Sequence, residues 1–197
     1  VETIESHLRT IPEGSHVEIG LLGGNFTGIS RELQERYLGI AAPYLSSGAV
    51  RSIRVSTRPD YIDDKKLALL KDHGVKTIEL GAQSMDDKVL AKAGRGHTVR
   101  DTENASRLIK QRGFRLGLQM MTGLPGDTEQ GAMNTARRII SLGAHETRIY
   151  PTLVIKNTPL EKLFSQGKYK PQSMEEAVRL VKELTLLFEV HNVTIIR

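Results

Sequence analysis

Phe114-Arg115-Leu116-Gly117-Leu118-Gln119-Met120-Met121-Thr122-Gly123-Leu124-Pro125-Gly126-Asp127-Thr128 is the stretch that decides the fold. Phe114–Gln119 is a short run of β type, and Gly123, Pro125 and Gly126 then break the chain. Asp127 with Gln130 three residues later reads as a capping box, and Ala132, Met133, Ala136, Ile139 and Ile140 follow on one helical face. A strand that turns straight into an amphipathic helix is one βα unit.

Outward from this stretch the unit recurs. The other predicted strands are His16–Leu22, Arg51–Ser56, Val75–Gly81, Glu146–Pro151 and Val193–Ile196. Their starts lie about 25–45 residues apart, the spacing of consecutive βα units in a parallel sheet with right-handed crossovers. Helices are predicted between them. After Ser30, residues Leu33, Tyr37, Ile40, Ala41 and Tyr44 share a face; Leu67 and Leu70 form a second stripe; Ala105, Leu108 and Ile109 form a third. Ser173 with Glu176 opens the last helix, whose stripe is Ala177, Val181, Leu184 and Phe188. Val1–Thr10 reads as helix, and Lys156–Gln172 as an excursion without periodicity. The expected class is α/β, with residues 1–197 as a single domain.

Composition narrows the chemistry. The 197 residues are 39% apolar, enough for one sizeable core, and no apolar run is long enough to cross a bilayer. There is no signal-peptide pattern, so a cytoplasmic location is expected. With no cysteine the chain has neither disulfides nor a thiolate metal site, and no metal ligands are assigned. The net charge of +5 is spread along the chain and leaves an acidic or nucleic-acid partner open.

In folds of this type ligands gather at the carboxyl ends of the strands. Unusual residues stand there. The first strand runs into Gly23-Gly24-Asn25-Phe26-Thr27-Gly28, where paired glycines either let a backbone approach a ligand or make a tight turn. Ser56, Thr57 and Arg58 end the second strand, with Asp60 or Asp63 available to cap the next helix. Gln83 follows the third, offering both donor and acceptor, as the hydroxyls of a ribose require. Arg95, between two glycines, suits a carboxylate or a rim ion pair; neighbouring His97 receives no role. Gln119, Met120 and Met121 end the fourth strand, where methionines could bed a flat ring or fill core. Val154 lies in the apolar run past Tyr150-Pro151. No Ser-His-Asp triad, zinc helix or close acid pair is present, which argues against a side-chain hydrolase.

Taken together, Gly23–Gly28, Arg54-Val55-Ser56-Thr57-Arg58-Pro59-Asp60, Leu80–Ser84, Gly94-Arg95-Gly96-His97-Thr98 and Gly123–Thr128 resemble the radical S-adenosylmethionine (SAM) superfamily, in that family's order. The branch resembled most is the radical SAM domain of the elongator catalytic subunit and its short bacterial relatives, with oxygen-independent coproporphyrinogen III oxidase as its neighbour. The resemblance implies a partial (β/α)6 TIM-like barrel, here missing its first strand. It implies a [4Fe–4S] cluster that chelates SAM and splits it to a deoxyadenosyl radical for hydrogen abstraction. By position, Gly23 and Gly24, with Asn25 beside them, would meet the SAM amino group, and Ser56 lies where the family places polar contacts. Gln83 and Gln119 would hold the ribose, Arg95 the carboxylate, and Met121 with the backbone near Val154 the adenine. These loops are expected to converge on one pocket; catalytic side chains are not identified.

One departure is large. The family's three cysteines, which hold its cluster, have no counterpart here. The expectation is a chain truncated at its N-terminus and also at its C-terminus, inactive by itself. The implied partners are SAM, an RNA base or small-molecule substrate, and a reductant protein such as flavodoxin or ferredoxin, with no membrane. Two alternatives stay open: a porphyrinogen oxidase-like oxidoreductase, and a barrel that binds adenosine or RNA without catalysis.

Overall fold

The computed structural model describes residues 1–12 and 14–196. In chain order the elements are α1 (Glu2–Leu8), β1 (Glu18–Leu21), α2 (Arg31–Ser46), β2 (Ser52–Thr57), α3 (Asp64–Asp72), β3 (Val75–Gln83), α4 (Asp87–Lys92), α5 (Val99–Gln111), β4 (Arg115–Thr122), α6 (Glu129–Ser141), β5 (Glu146–Pro151), α7 (Pro159–Ser165), α8 (Met174–Val190) and β6 (Thr194–Ile195). The strands follow the order β1-β2-β3-β4-β5-β6 in one sheet. Strand β2 runs parallel to both β1 and β3, and β5 parallel to both β4 and β6. Successive parallel strands joined by helices are the α/β topology of a partial (β/α)6 barrel, as expected.

Most helix starts follow from a polar residue that takes an orphan backbone N–H. Ser30 accepts from Leu33, Asp63 from Lys66, and Ser173 and Glu176 complete the predicted capping box of α8. At α6 the cap is displaced by one residue. Thr128, not Asp127, accepts from the Gly131 N–H, while Asp127 takes the Thr128 N–H. The stretch 156–172 is not wholly irregular, for α7 lies within it, capped by Thr158 with Pro159 in its first turn.

Two compact units divide the chain: Val1–Gly81 with Asn104–Leu116, and Ala82–Glu103 with Gly117–Arg197. Leu38, Ile53, Val55, Leu67, Leu70 and Ile78 are buried in the first. On α2 the buried face is Gln34, Leu38 and Ala41; of the predicted stripe Ala41 is buried, Ile40 and Tyr44 are half-buried, and Leu33 and Tyr37 are exposed. In the second unit α8 packs on α6 and on β6, burying Leu180, Leu184 and Phe188 with Ala132, Ala136 and Ile139. Each large aliphatic side chain so buried contributes about 1.5–3 kcal/mol.

Each unit's strands alternate between an apolar and a polar face. In the first, Ile53, Val55, Ile78 and Leu80 share one face. On the other, Glu18 pairs in register with Ser52, Arg54 with Thr77, and Ser56 with Glu79. In the second, the polar face has Gln119 level with Arg148, and Met121 with Tyr150.

Candidate functional site

The residues proposed from the sequence fall into both units. Gly23, Gly24, Asn25 and Ser56 belong to the first, and Gln83, Arg95, Gln119, Met121 and Val154 to the second.

In the first unit the loop after β1 is tied to the end of β2 through one hydroxyl. Thr57 Oγ1 accepts from the Thr27 N–H at 3.2 Å and donates to Asn25 Oδ1 at 3.0 Å. Its proton being used, the 2.6 Å contact between the two threonine hydroxyls has Thr27 as donor. Both threonines are buried, and every hydrogen-bonding position of Thr57 Oγ1 is filled by protein. Two glycines make this arrangement possible. Gly24 has φ +82°, a backbone that disfavours side chains, and a Cβ at Gly28 would lie 2.6 Å from Asn25 Cγ. Among the described residues nothing lies within 4 Å of a Cβ built at Gly23 or Gly24, so the turn has open space beside it. Ser56 is buried at the same strand end. Arg58, read as a candidate ligand contact, instead makes a bidentate pair with Asp60 at 2.9 and 2.8 Å and stacks over Tyr61.

The polar sheet face of this unit holds a cluster that the sequence reading passed over. Arg54 Nη2 meets Glu18 Oε2 at 2.7 Å and its Nη1 meets Glu79 Oε1 at 2.8 Å, while Ser52 donates to Glu18 Oε1. Burial pushes the Glu18 carboxyl up, but the Ser52 hydrogen bond and Arg54 outweigh it and hold the group below the ordinary carboxylate value. The signal was present as polar residues at every second position of β2, Ser52-x-Arg54-x-Ser56.

At the end of β3, in the second unit, the chain turns sharply at Gln83. Its φ is +65°, and the Ser84 N–H donates to the Ala82 carbonyl at 2.8 Å, which makes Gln83 the centre of a γ-turn of the rare positive-φ form. Such a backbone costs about 1–3 kcal/mol for a residue with a side chain. Gln83 is 7% exposed, and its Oε1 is buried without a hydrogen-bond donor among the described residues. The side chain read as either a ribose contact or a surface amide is therefore a buried acceptor. His97, which the sequence left without a role, is buried and directs Nε2 to the same Ala82 carbonyl at 3.2 Å. A carbonyl only accepts, so Nε2 carries the proton.

Arg95 and Met121 line one cleft of about 250 Å³, with Leu124, Pro125, Leu153 and Ile155. Val154 is not among its lining residues although both its neighbours are, and Gln119, half-buried on the polar face of β4, is also outside it. A cation on an apolar wall suits a ligand with a carboxylate at one end and a flat ring at the other. A larger cleft of about 670 Å³ lies beside it, lined by Gly123–Glu129, Tyr169 and Gln172. There Tyr169 donates to the Gly123 carbonyl at 2.7 Å. Burial pushes the Asp127 carboxyl up to about 6, helped by nearby Asp86 and opposed by the Thr128 N–H.

In the first unit the turn at Gly23 and Gly24 is open; in the second, Gln83, a buried acceptor lacking a donor among the described residues, and Arg95, in a partly apolar cleft, suit a hydroxyl and a carboxylate of an adenosyl ligand. These residues do not fit an iron–sulfur cluster. The sequence has no cysteine, and among the described residues no group of three or more His, Asp or Glu could hold a metal ion. Nor, among the described residues, is any helix long and apolar enough to cross a membrane.

Comparison with known proteins places these features in a family. Residues 1–139 match the radical SAM superfamily, and residues 144–197 the radical SAM C-terminal domain. The chain is 28% identical over 185 residues to the tRNA uridine(34) acetyltransferase of Methanocaldococcus jannaschii, covering 84% of this chain and 34% of that protein. It is 32% identical over 196 residues to elongator complex protein 3 of Danio rerio, covering 87% of this chain and 35% of the relative. It thus spans about a third of the length of these relatives. The solved structure of Elp3 from Methanocaldococcus infernus with an N-terminal deletion superposes with a TM-score of 0.80 at 25% identity, over 93% of this chain and 48% of that one.

Proposed function

The chain belongs to the radical SAM superfamily, and on that premise we propose that it is the SAM-binding core of an elongator-like enzyme acting on an RNA base. The observation that carries the reading is Gln83, a strained and buried acceptor without a donor among the described residues, at the end of a parallel strand. A ribose hydroxyl supplies the missing donor. Gln119 assists at the ribose, Arg95 pairs with the carboxylate, and Met121 with the backbone near Val154 flanks the adenine. The open turn at Gly23 and Gly24 receives the amino group, with Asn25 holding that loop in shape and Ser56 giving a polar contact.

SAM, when bound and given one electron from a source outside these residues, would supply hydrogen abstraction from the substrate. The part of these residues is to bind and orient the cofactor and keep water from it. No part of radical generation is assigned to them, since they offer no cluster ligands, and the isolated chain is expected to bind without turnover. Among substrates a tRNA uridine is favoured over a small metabolite or a porphyrinogen, on the strength of the activity for which the archaeal relative is named.

The test is a calorimetric titration of the chain with SAM, with a Gln83→Met variant beside it. Saturable binding that the variant weakens is the expected result. Absence of SAM binding to the wild-type chain overturns the reading.

A further inference from the structure

We propose that His97 is a positioning residue for Gln83: by donating from Nε2 to the Ala82 carbonyl it holds the γ-turn that keeps the Gln83 amide ready for a ribose hydroxyl. The inference rests on the ribose role proposed above and goes beyond it to a residue that touches no cofactor.

A γ-turn closed by a single hydrogen bond is weak, because one N–H must hold a residue in a sparsely populated backbone region. Here the closing carbonyl has two donors. The Ser84 N–H reaches it from within the turn at 2.8 Å, and His97 reaches it from fifteen residues farther along the chain at 3.2 Å. Both His97 and Gln83 are buried. The second donor fixes the plane of the Ala82–Gln83 peptide, and with it the direction in which the Gln83 side chain leaves the strand. Without His97 the turn relaxes towards an extended strand end, and the amide leaves its place. Orientation fixed before binding raises affinity because the ordering cost is already met in the free protein.

The experiment measures binding of S-adenosylhomocysteine and of its 2′-deoxy analogue to the 197-residue chain, with thermal melting of each variant alongside. Gln83→Met should weaken adenosylhomocysteine binding about tenfold and abolish its preference over the deoxy analogue. His97→Leu should do the same, and the double variant should be no weaker than either single one, since both remove one unit. His97→Gln, whose amide can also donate to the carbonyl, should recover most of the preference; it also serves if the leucine variant fails to fold. Wild-type discrimination in His97→Leu, or effects of the two residues that multiply, overturns the inference while leaving the ribose contact standing. If Gln83→Met itself keeps the preference for the ribo ligand, the ribose assignment falls and this inference with it.

Discussion

The end of β2 and the end of β3 are built on opposite principles. At β2, Thr57 ties Thr27 and Asn25 together, and its hydroxyl has no unused position. At β3, Gln83 is held at φ +65° and its buried Oε1 has no partner among the described residues. Buried polar atoms are nearly always matched, so a matched cluster speaks for folding, and an unmatched acceptor on a strained backbone speaks for a ligand. The contrast separates a polar cluster that the fold completes from an acceptor that it leaves open, a distinction that polarity at a strand end cannot make.

The contrast can be broken by mutation. The largest effect is expected from Arg54→Met, which takes from both Glu18 and Glu79 the guanidinium they share; denaturant unfolding should show a loss of about 3–5 kcal/mol. Thr57→Val strands the Thr27 N–H and Asn25 Oδ1, and the same measurement should show a loss of about 1–3 kcal/mol. Gln83→Gly should have the opposite sign. Relief of the positive φ should raise stability by up to about 1 kcal/mol while SAM affinity falls. Were Thr57→Val silent or Gln83→Gly strongly destabilising, the two strand ends would not differ as described.

The smallest effect is a pH dependence. Asp127 has its pKa raised from 3.8 to about 6, so its protonated form is the one the fold favours. That contribution is complete below the unfolded value and is lost as pH rises through the folded one. Asp127→Asn, neutral throughout, should therefore melt progressively higher than the wild type as pH rises from about 4 to about 6, with a constant gap above that. A gap that opens as pH falls would contradict the burial of this carboxyl.

Much of the architecture could be read from the chain. The strands at 75, 114 and 146 and the caps at Ser30 and Ser173 are local, and local chemistry decided them. Helix α7 escaped because seven residues are too short for a periodicity to develop, although Thr158-Pro159 is a legitimate start signal. The stripe of α2 was misplaced in part because its buried face includes a polar residue, Gln34, whose Nε2 donates to the Ile29 carbonyl, while Leu33 and Tyr37 remain outside. At the site, the residue types were legible and their states were not. Nothing local in Leu80–Ser84 announces a positive φ at Gln83, since His97 at the turn carbonyl is a product of tertiary structure. Similarly, Thr57 looks like one of three equivalent polar side chains until its partners are seen.

Asn25 and Gly28 share a single volume, because a side chain at 28 would occupy the space of the Asn25 carboxamide. Over evolutionary time the two positions should therefore drift together rather than independently. Homologous chains with alanine or serine at 28 should carry a smaller residue at 25, while a hydroxyl at 57 would still be held by the backbone N–H at 27.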